Sequence, residues 1–428
     1  MNDQPKPSSL PDIYCSEVDV QGLSDWLISQ AFDDPDVVEV FVGLCERLRD
    51  IGVQVDRANL AWPTLHPLFD AESVIWYPQT GAVLETLPHG SDRSDDWKKS
   101  PLKYAVEANL DMLRRRLAGP EAQADFPILQ RLADEGMTDY LLFATRYSIP
   151  RVTENGDPGG VLVSWATKRP GGFTDREFAT LKRLQGRLAI ATKTMVLSRI
   201  TRNVADAYLG RVAARRVLSG QIRHGDGEVI EAVVWYSDLR NSTKLAEMMP
   251  EGRYMDLLNR YFECVAGAAL DRGGEVLDFI GDAVLAIFPL DPALEPAERV
   301  GGAITRACEA ITEADARRRR MLEVDPGLPL DFGIGVDSGR LMFGNIGVPD
   351  RMTFSVIGPT VNQVARIEKY TKELDVLALA TEAIALEAPH RWRPVGAHDL
   401  VGLSHSIELF AWRDDAAAGL SPAAVTGR

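Results

Sequence analysis

Apolar residues recur at helical spacing from the start of the ordered-looking chain. Leu23, Trp26 and Leu27 are followed by Val37, Val40, Phe41, Leu44 and Leu48, which predicts helix between residues 18 and 51. Short apolar runs bounded by turn residues come next. Residues 73–77 and 81–87 flank Pro78-Gln79-Thr80 and predict a hairpin, and residues 140–149 and 159–167 flank a turn-rich loop at 150–158. The charged stretch 101–135 between these pairs favours helix. Thr174, with Glu177 three residues on, forms a capping-box pattern at the head of a long helix. A further helical stretch spans 198–222, with Ile200, Val204, Tyr208, Val212 and Arg216 near four-residue intervals, and ends at glycines 225 and 227.

The second half alternates strand and helix. Residues 232–236 suit a fully buried strand that ends in Asp238, and Ser242 and Thr243 stand in capping positions before a helix. In the segment 274–288, Val276, Asp278 and Ile280 share one predicted strand face and Leu277 and Phe279 the other. Gly281-Asp282 fits a type II′ turn, which would place Asp282 at a hairpin tip. Residues 331–347 predict two strands with glycines where other backbone approaches closely. Gly358-Pro359-Thr360 then breaks the chain, and a helix follows on which Asn362 and Arg366, four apart, share one face.

At 428 residues the chain is long enough for two or three domains. Its 47 Lys+Arg against 62 Asp+Glu give a net charge of −15, which disfavours a nonspecific nucleic-acid binder. The one basic run, Arg317 to Arg320, follows acids in a helical stretch and reads as an ion-paired face. Cys15, Cys45, Cys264 and Cys308 are too scattered for a zinc site or disulfide framework. No secretory signal pattern and no apolar run of about 18 residues occurs, so the expectation is a cytoplasmic protein without a membrane span. Trp76 and His66 read as a core residue and a satisfied loop or core residue.

Chemistry enters with the acids. A carboxylate at a strand end beside a helix start can hold a divalent metal while free backbone N–H groups receive phosphate oxygens. Asp282 at a hairpin tip can point into the same cleft. Asn362 offers an amide for a ribose oxygen, and Arg366 a delocalised cation for a crowded, charged phosphorus centre.

Together, the segments SDLRNST, GGEVL–IGDAVLAIF, GIGVDSGRLMFGNIG and VIGPTVNQVARIE resemble the class III nucleotide cyclase domain over residues 222–412. The resemblance implies an α+β / α/β fold with a ferredoxin-like βαββαβ core, catalysing cyclisation of a purine nucleoside triphosphate with release of pyrophosphate. It implies that Asp238 and Asp282, with Leu239, hold two Mg²⁺ or Mn²⁺ ions per active site. Asn362 would orient the ribose and Arg366 would stabilise charge at phosphorus. Arg240, Asn241, Ser242 and Thr243 would bind phosphate, and Asp278 and Ser355 would meet the base. It also implies a homodimer, with the aspartates from one chain and the Asn/Arg pair from the other.

Three departures from the family pattern stand out. Adenylate-forming members usually carry Lys at the position of Asp278 and Asp or Thr at that of Ser355. An acid with a small polar residue suits guanine better, so ATP is favoured on family frequency and GTP is the alternative. The C-terminal segment 399–410 has no Lys or Arg for the triphosphate, and His405 is the one candidate there. Asn241-Ser242-Thr243 stands where an aromatic followed by Ser or Thr is more usual. A third reading is a degenerate cyclase domain that binds nucleotide or dimerises without turnover.

The first half resembles GAF-type modules in element order and in its closing helix, with an unidentified small ligand or partner expected there. The expected organisation is a tail at 1–17, a GAF-like sensor at 18–197, a linker helix at 198–228, a cyclase domain at 229–413 and a disordered tail at 414–428. The sensor would act on dimer geometry through the linker.

Overall fold

A computed structural model describes residues 16–413 apart from 34, 90–94, 149–158, 224, 292, 349 and 402–405. The 414–428 tail, nearly all of the 1–17 tail, the 150–158 loop, Cys15 and His405 therefore lie outside the described residues. The chain forms two compact units, Met1–Ala207 and Tyr208–Arg428. No helix among the described residues is long and apolar enough to cross a membrane.

The first unit runs α1 (Glu17–Asp33), α2 (Val37–Asp50), β1 (Arg57–Pro63), β2 (Phe69–Tyr77), β3 (Gly81–Pro88), α3 (Asp95–Lys98), α4 (Pro101–Glu107), β4 (Met112–Arg116), α5 (Pro127–Asp134), β5 (Asp139–Arg146), β6 (Gly160–Thr167) and α6 (Asp175–Leu209). The predicted helical stretch 18–51 is two helices. The second starts at Asp36, whose carboxylate accepts from the Val38 amide at 2.8 Å. The strands make an antiparallel sheet in the order β3-β2-β1-β6-β5-β4. One face packs on α1, α2 and α6 through Phe41, Leu44, Leu60, Trp165 and Leu188. The other carries a smaller core under α4 and α5. Trp76 is in the larger core, and His66 stacks on Phe69 at 3.7 Å.

Edge strand β4 lies inside a stretch that reads as helix. Its alternation explains it: Arg114 and Arg116 point the same way, and both reach the fully buried Asp139, at 2.7 and 2.9 Å. The capping box forms as the sequence indicates. The Thr174 amide donates to Glu177 at 2.8 Å, and the Glu177 amide donates to Thr174 Oγ1 at 3.2 Å.

The second unit runs α7 (Arg211–Leu218), β7 (Gly227–Leu239), α8 (Ser242–Met248), α9 (Glu251–Asp271), β8 (Glu275–Ile280), β9 (Ala283–Pro289), α10 (Arg299–Val324), β10 (Phe332–Val348), β11 (Arg351–Ile357), α11 (Pro359–Glu373), β12 (Ala378–Thr381), α12 (Glu382–Glu387), β13 (Trp392–His398) and β14 (Ile407–Trp412). The expected single helix over 198–222 is not one element. Ser198 and Ile200 belong to α6 and the first unit's core. The helix stops at Gly210, whose φ of +77° any Cβ would strain, and α7 begins afresh with Ala213 in the second unit's core.

Strands β10-β7-β9-β8 are antiparallel neighbours. Counted as the four strands of β7-α9-β8-β9-α10-β10, their order is 4-1-3-2, the ferredoxin-like arrangement expected. β12, β14 and β13 extend the sheet beyond β10. Helices α9, α10 and α12 cover one face. Residues of α7 and α11 pack on the other, against Val234, Leu285 and Phe343.

Two strand readings are corrected. The segment 331–347 is one long strand rather than two, because it pairs continuously with β7 from Phe332 to Gly344. Val276 and Asp278 do not share a face. A bulge at Leu277 shifts the register, so Val276 pairs with Ala286 of the α9/α10 face and Asp278 pairs with Leu285 of the α11 face. The arginine run of α10 is ion-paired, including Arg317 with Glu313 at 2.9 Å and Arg318 with Asp315 at 2.8 Å.

Candidate active site

Asp238 ends β7, where the strand pairs with Gly333 of β10 and Ala283 of β9. The β8–β9 hairpin turns at Gly281, φ +66°, and sets Asp282 beside Asp238. The Leu239 amide reaches the Asp282 carbonyl at 3.4 Å. The two carboxylates are hydrogen-bonded to each other, which requires a proton between them. Asp238 is accordingly held well above the usual carboxylate range. Burial is the largest cause, followed by the bond to Asp282 and repulsion from it; the Leu239 amide and Lys369 pull the other way. One Asp238 oxygen, Oδ1, is buried without any hydrogen-bond partner.

A third acid completes this electrostatic environment. Helix α11 packs on β10 at Gly333 and Gly335, where a Cβ would fall 2.5 Å from Glu368 Oε1 and 2.5 Å from the Val364 carbonyl. Those glycines let Glu368 settle into the sheet face beside β7. Burial, then repulsion from Asp238, raises its pKa to about 8. Tyr236, one turn of the pleat before Asp238, is raised to about 12 by burial and by the same three acids. Sequence reading missed Glu368. The signal was available, since helical phase puts it on one stripe with the buried Val364 and Thr371.

The same phase places Asn362 and Arg366 on the opposite side of α11. They lie roughly 160° around the helix from Val364 and Glu368 at about 100° per residue, and Asn362 is exposed. The face of α11 turned toward Asp238 is thus not the face that carries Asn362 and Arg366.

After β7 the chain turns through Asn241, φ +60°, which is the cap residue of α8. This corrects the expected capping: Ser242 and Thr243 are the first helical residues, and Asn, tolerant of left-handed backbone, makes the turn. Their amides, like those of any first helical turn, have no intrahelical acceptor. Arg240 is committed elsewhere. Its guanidinium bonds the Val376 carbonyl at 2.6 Å and Asp331 at 3.2 Å, and its amide bonds the Asp331 carbonyl at 2.9 Å. Its atoms thus tie the β7 end to the α11–β12 turn.

Asp278 is half-buried in a cross-strand row with Leu285 and Tyr236. Ser355 lies on β11 opposite Gly344, and β11 lies against β8. Asp337 sits apart, buried among Thr381 Oγ1 at 2.6 Å, Gln363 Nε2 at 2.8 Å and the Ser338 amide at 2.8 Å, joining β10, α11 and β12.

The donor set fits a hard divalent cation. Two carboxylates compete for one proton and leave an oxygen without a partner, so positive charge between them relieves both costs. No group of three or more His, Cys, Asp or Glu side chains is gathered for a metal among the described residues. Two carboxylates alone suit Mg²⁺-like binding completed by main-chain and phosphate oxygens.

Residues 228–398 match the family described as the adenylate and guanylate cyclase catalytic domain. The second unit is a class III adenylate/guanylate cyclase domain. An uncharacterized protein of Mycobacterium tuberculosis is 31% identical over 242 residues, covering 55% of this chain and 40% of that relative. The adenylate cyclase of Anabaena cylindrica is 27% identical over 189 residues, covering 44% of this chain and 36% of its own length. This chain thus spans two fifths or less of these two curated relatives. The crystal structure of the adenylyl cyclase CyaB from P. aeruginosa is 24% identical, covers 44% of this chain and 96% of that one, and superposes with a TM-score of 0.38.

Proposed function

We propose that this cyclase domain converts a purine nucleoside triphosphate to its 3′,5′-cyclic monophosphate and pyrophosphate, at a site shared by two copies of the chain. The supporting observation is the split on α11. Asp238 and Asp282 form an acid pair on one part of the domain, while Asn362 and Arg366 face away from the helix side turned toward them. Two copies related by a twofold axis can bring one chain's acids to the other's Asn/Arg pair. Phe279, Ile280, Met342 and Ile357 are each about half exposed, at 51%, 49%, 47% and 52%, and offer apolar area for such pairing.

In this reading Asp238 and Asp282, with main-chain oxygen at Leu239, hold two Mg²⁺ or Mn²⁺ ions. When bound, the ions acidify the ribose 3′-hydroxyl and neutralise the triphosphate. The Asn362 amide fixes the ribose so that the 3′-oxygen faces the α-phosphorus. Arg366 stabilises the charge that builds there as the pyrophosphate leaves. The amides of Ser242 and Thr243 receive phosphate oxygens. Arg240 supports this turn from below, since its own donors are engaged.

ATP is the favoured substrate on the frequency of adenylate cyclases in the family. GTP is the alternative that Asp278 and Ser355 favour, because a carboxylate accepts from the guanine N1–H and N2–H₂ donors. The first unit is read as a GAF-like sensor. Turnover by the purified chain with ATP and GTP, each with Mg²⁺ and Mn²⁺, tests the proposal. Cyclic AMP supports the family prior, and cyclic GMP supports base reading by Asp278. Neither product from a dimeric protein contradicts turnover and leaves the binding-module reading.

A further inference from the structure

The first unit contains a polar cavity that its fold does not explain. The sheet face under α4 and α5 is apolar around Leu113, Leu129, Leu132 and Leu142. Beside that core, the central strands place Arg57 and Asn59 of β1 and Ser164 of β6 on the same face, with Asn59 directly opposite Ser164. They line a cavity of about 170 Å³, closed by residues of α3, α4 and α5.

Arg57 is 6% exposed, and no carboxylate pairs with it among the described residues. Its Nε donates to the Tyr77 hydroxyl at 3.1 Å, and its guanidinium lies over the Tyr77 ring at 5.8 Å. Those are its only partners among the described residues, so its terminal nitrogens have none there. A desolvated cation without an anion is costly, and a fold gains nothing by keeping one. Asn59 is 9% exposed, and its Oδ1 has no hydrogen-bond partner. Ser164 is satisfied by the hydroxyl of buried Tyr140. At the rim, Lys99 and Arg131 outnumber Asp96.

We infer that this cavity is a binding site for a small organic carboxylate that also carries an N–H or O–H donor. The carboxylate meets Arg57, and the donor meets Asn59 Oδ1. The volume is below the roughly 300–1,000 Å³ of drug-sized sites, which selects a compact acid over a nucleotide. The site is separate from the acid pair of the second unit and does not rest on the cyclase reading.

The test is thermal unfolding of the full chain with a panel of acetate, lactate, alanine and glutamate, against chloride at matched ionic strength. The expected result is a saturable rise for at least one donor-bearing acid, roughly 3–6 °C at ten times its dissociation constant, larger than the rise with acetate. Asn59→Asp supplies an internal anion for Arg57. It is expected to melt higher than the parent without ligand and to lose the ligand response, while Ser164→Ala keeps part of it. No saturable rise with any acid, together with no gain from Asn59→Asp, would overturn the site. So would a ligand response that Asn59→Asp leaves unchanged.

Discussion

Single residues in the second unit divide into those the chemistry needs and those the fold needs. Glu368 belongs with the fold, and its pKa of about 8 gives a pH signature. The unfolded chain ionises an ordinary Glu above pH 4.5, whereas the folded chain keeps Glu368 protonated until about pH 8. Its stability is therefore fully present below pH 4.5 and is lost as pH rises toward 8. Glu368→Gln should melt at the same temperature as the parent near pH 4.5. Near pH 8, in chelator, it should melt several degrees higher, by a difference on the order of a few kcal/mol. Equal melting across that range would show that the acid is already ionised in the fold. Arg240 makes the contrasting case. Arg240→Ala should cost about 1–3 kcal/mol of stability by orphaning the Val376 carbonyl and Asp331, with little change in KM for the triphosphate at a temperature where both proteins are folded. A large rise in KM with unchanged melting would return Arg240 to the phosphate. On the chemical side, Arg366→Ala should lower kcat about 10²–10³-fold while melting as the parent does.

Among elements, the hairpins, the capping box and the strand that carries Asp238 were legible in the sequence because each depends on local pattern and turn chemistry. The elements that differ depend on distant partners. β4 looks helical until Asp139, more than twenty residues away, supplies the reason for its alternate arginines. The bulge at Leu277 turns Asp278 to the α11 face, and strict alternation cannot anticipate an inserted residue. The glycines of β10 suggested a break, yet they mark where α11 presses on an unbroken strand. Gly335→Ala would force its Cβ to 2.5 Å from the Val364 carbonyl. The expected cost is about 1–3 kcal/mol from overpacking, with activity falling as α11 shifts; a variant that melts like the parent would mean α11 is not seated on β10. The acid pair was legible as two separate motifs. Glu368 was not, because its relevance appears only when α11 lies over Gly333.

For the molecule as a whole, the chain holds two units with separate cores, and only the second is placed in a family by its sequence. The central claim concerns more than one copy: the acids and the Asn/Arg pair of one chain serve different sites. Complementation between inactive variants tests this most directly. Asp238→Ala and Arg366→Ala, each purified alone, should be nearly inactive. Unfolded and refolded together, or produced together, they should recover about one quarter of the parent's activity, since half the dimers are mixed and each mixed dimer has one intact site of two. Recovery near that level confirms a site built across chains. Mixed dimers with no recovery, or substantial activity from a chain shown to be monomeric, would contradict it.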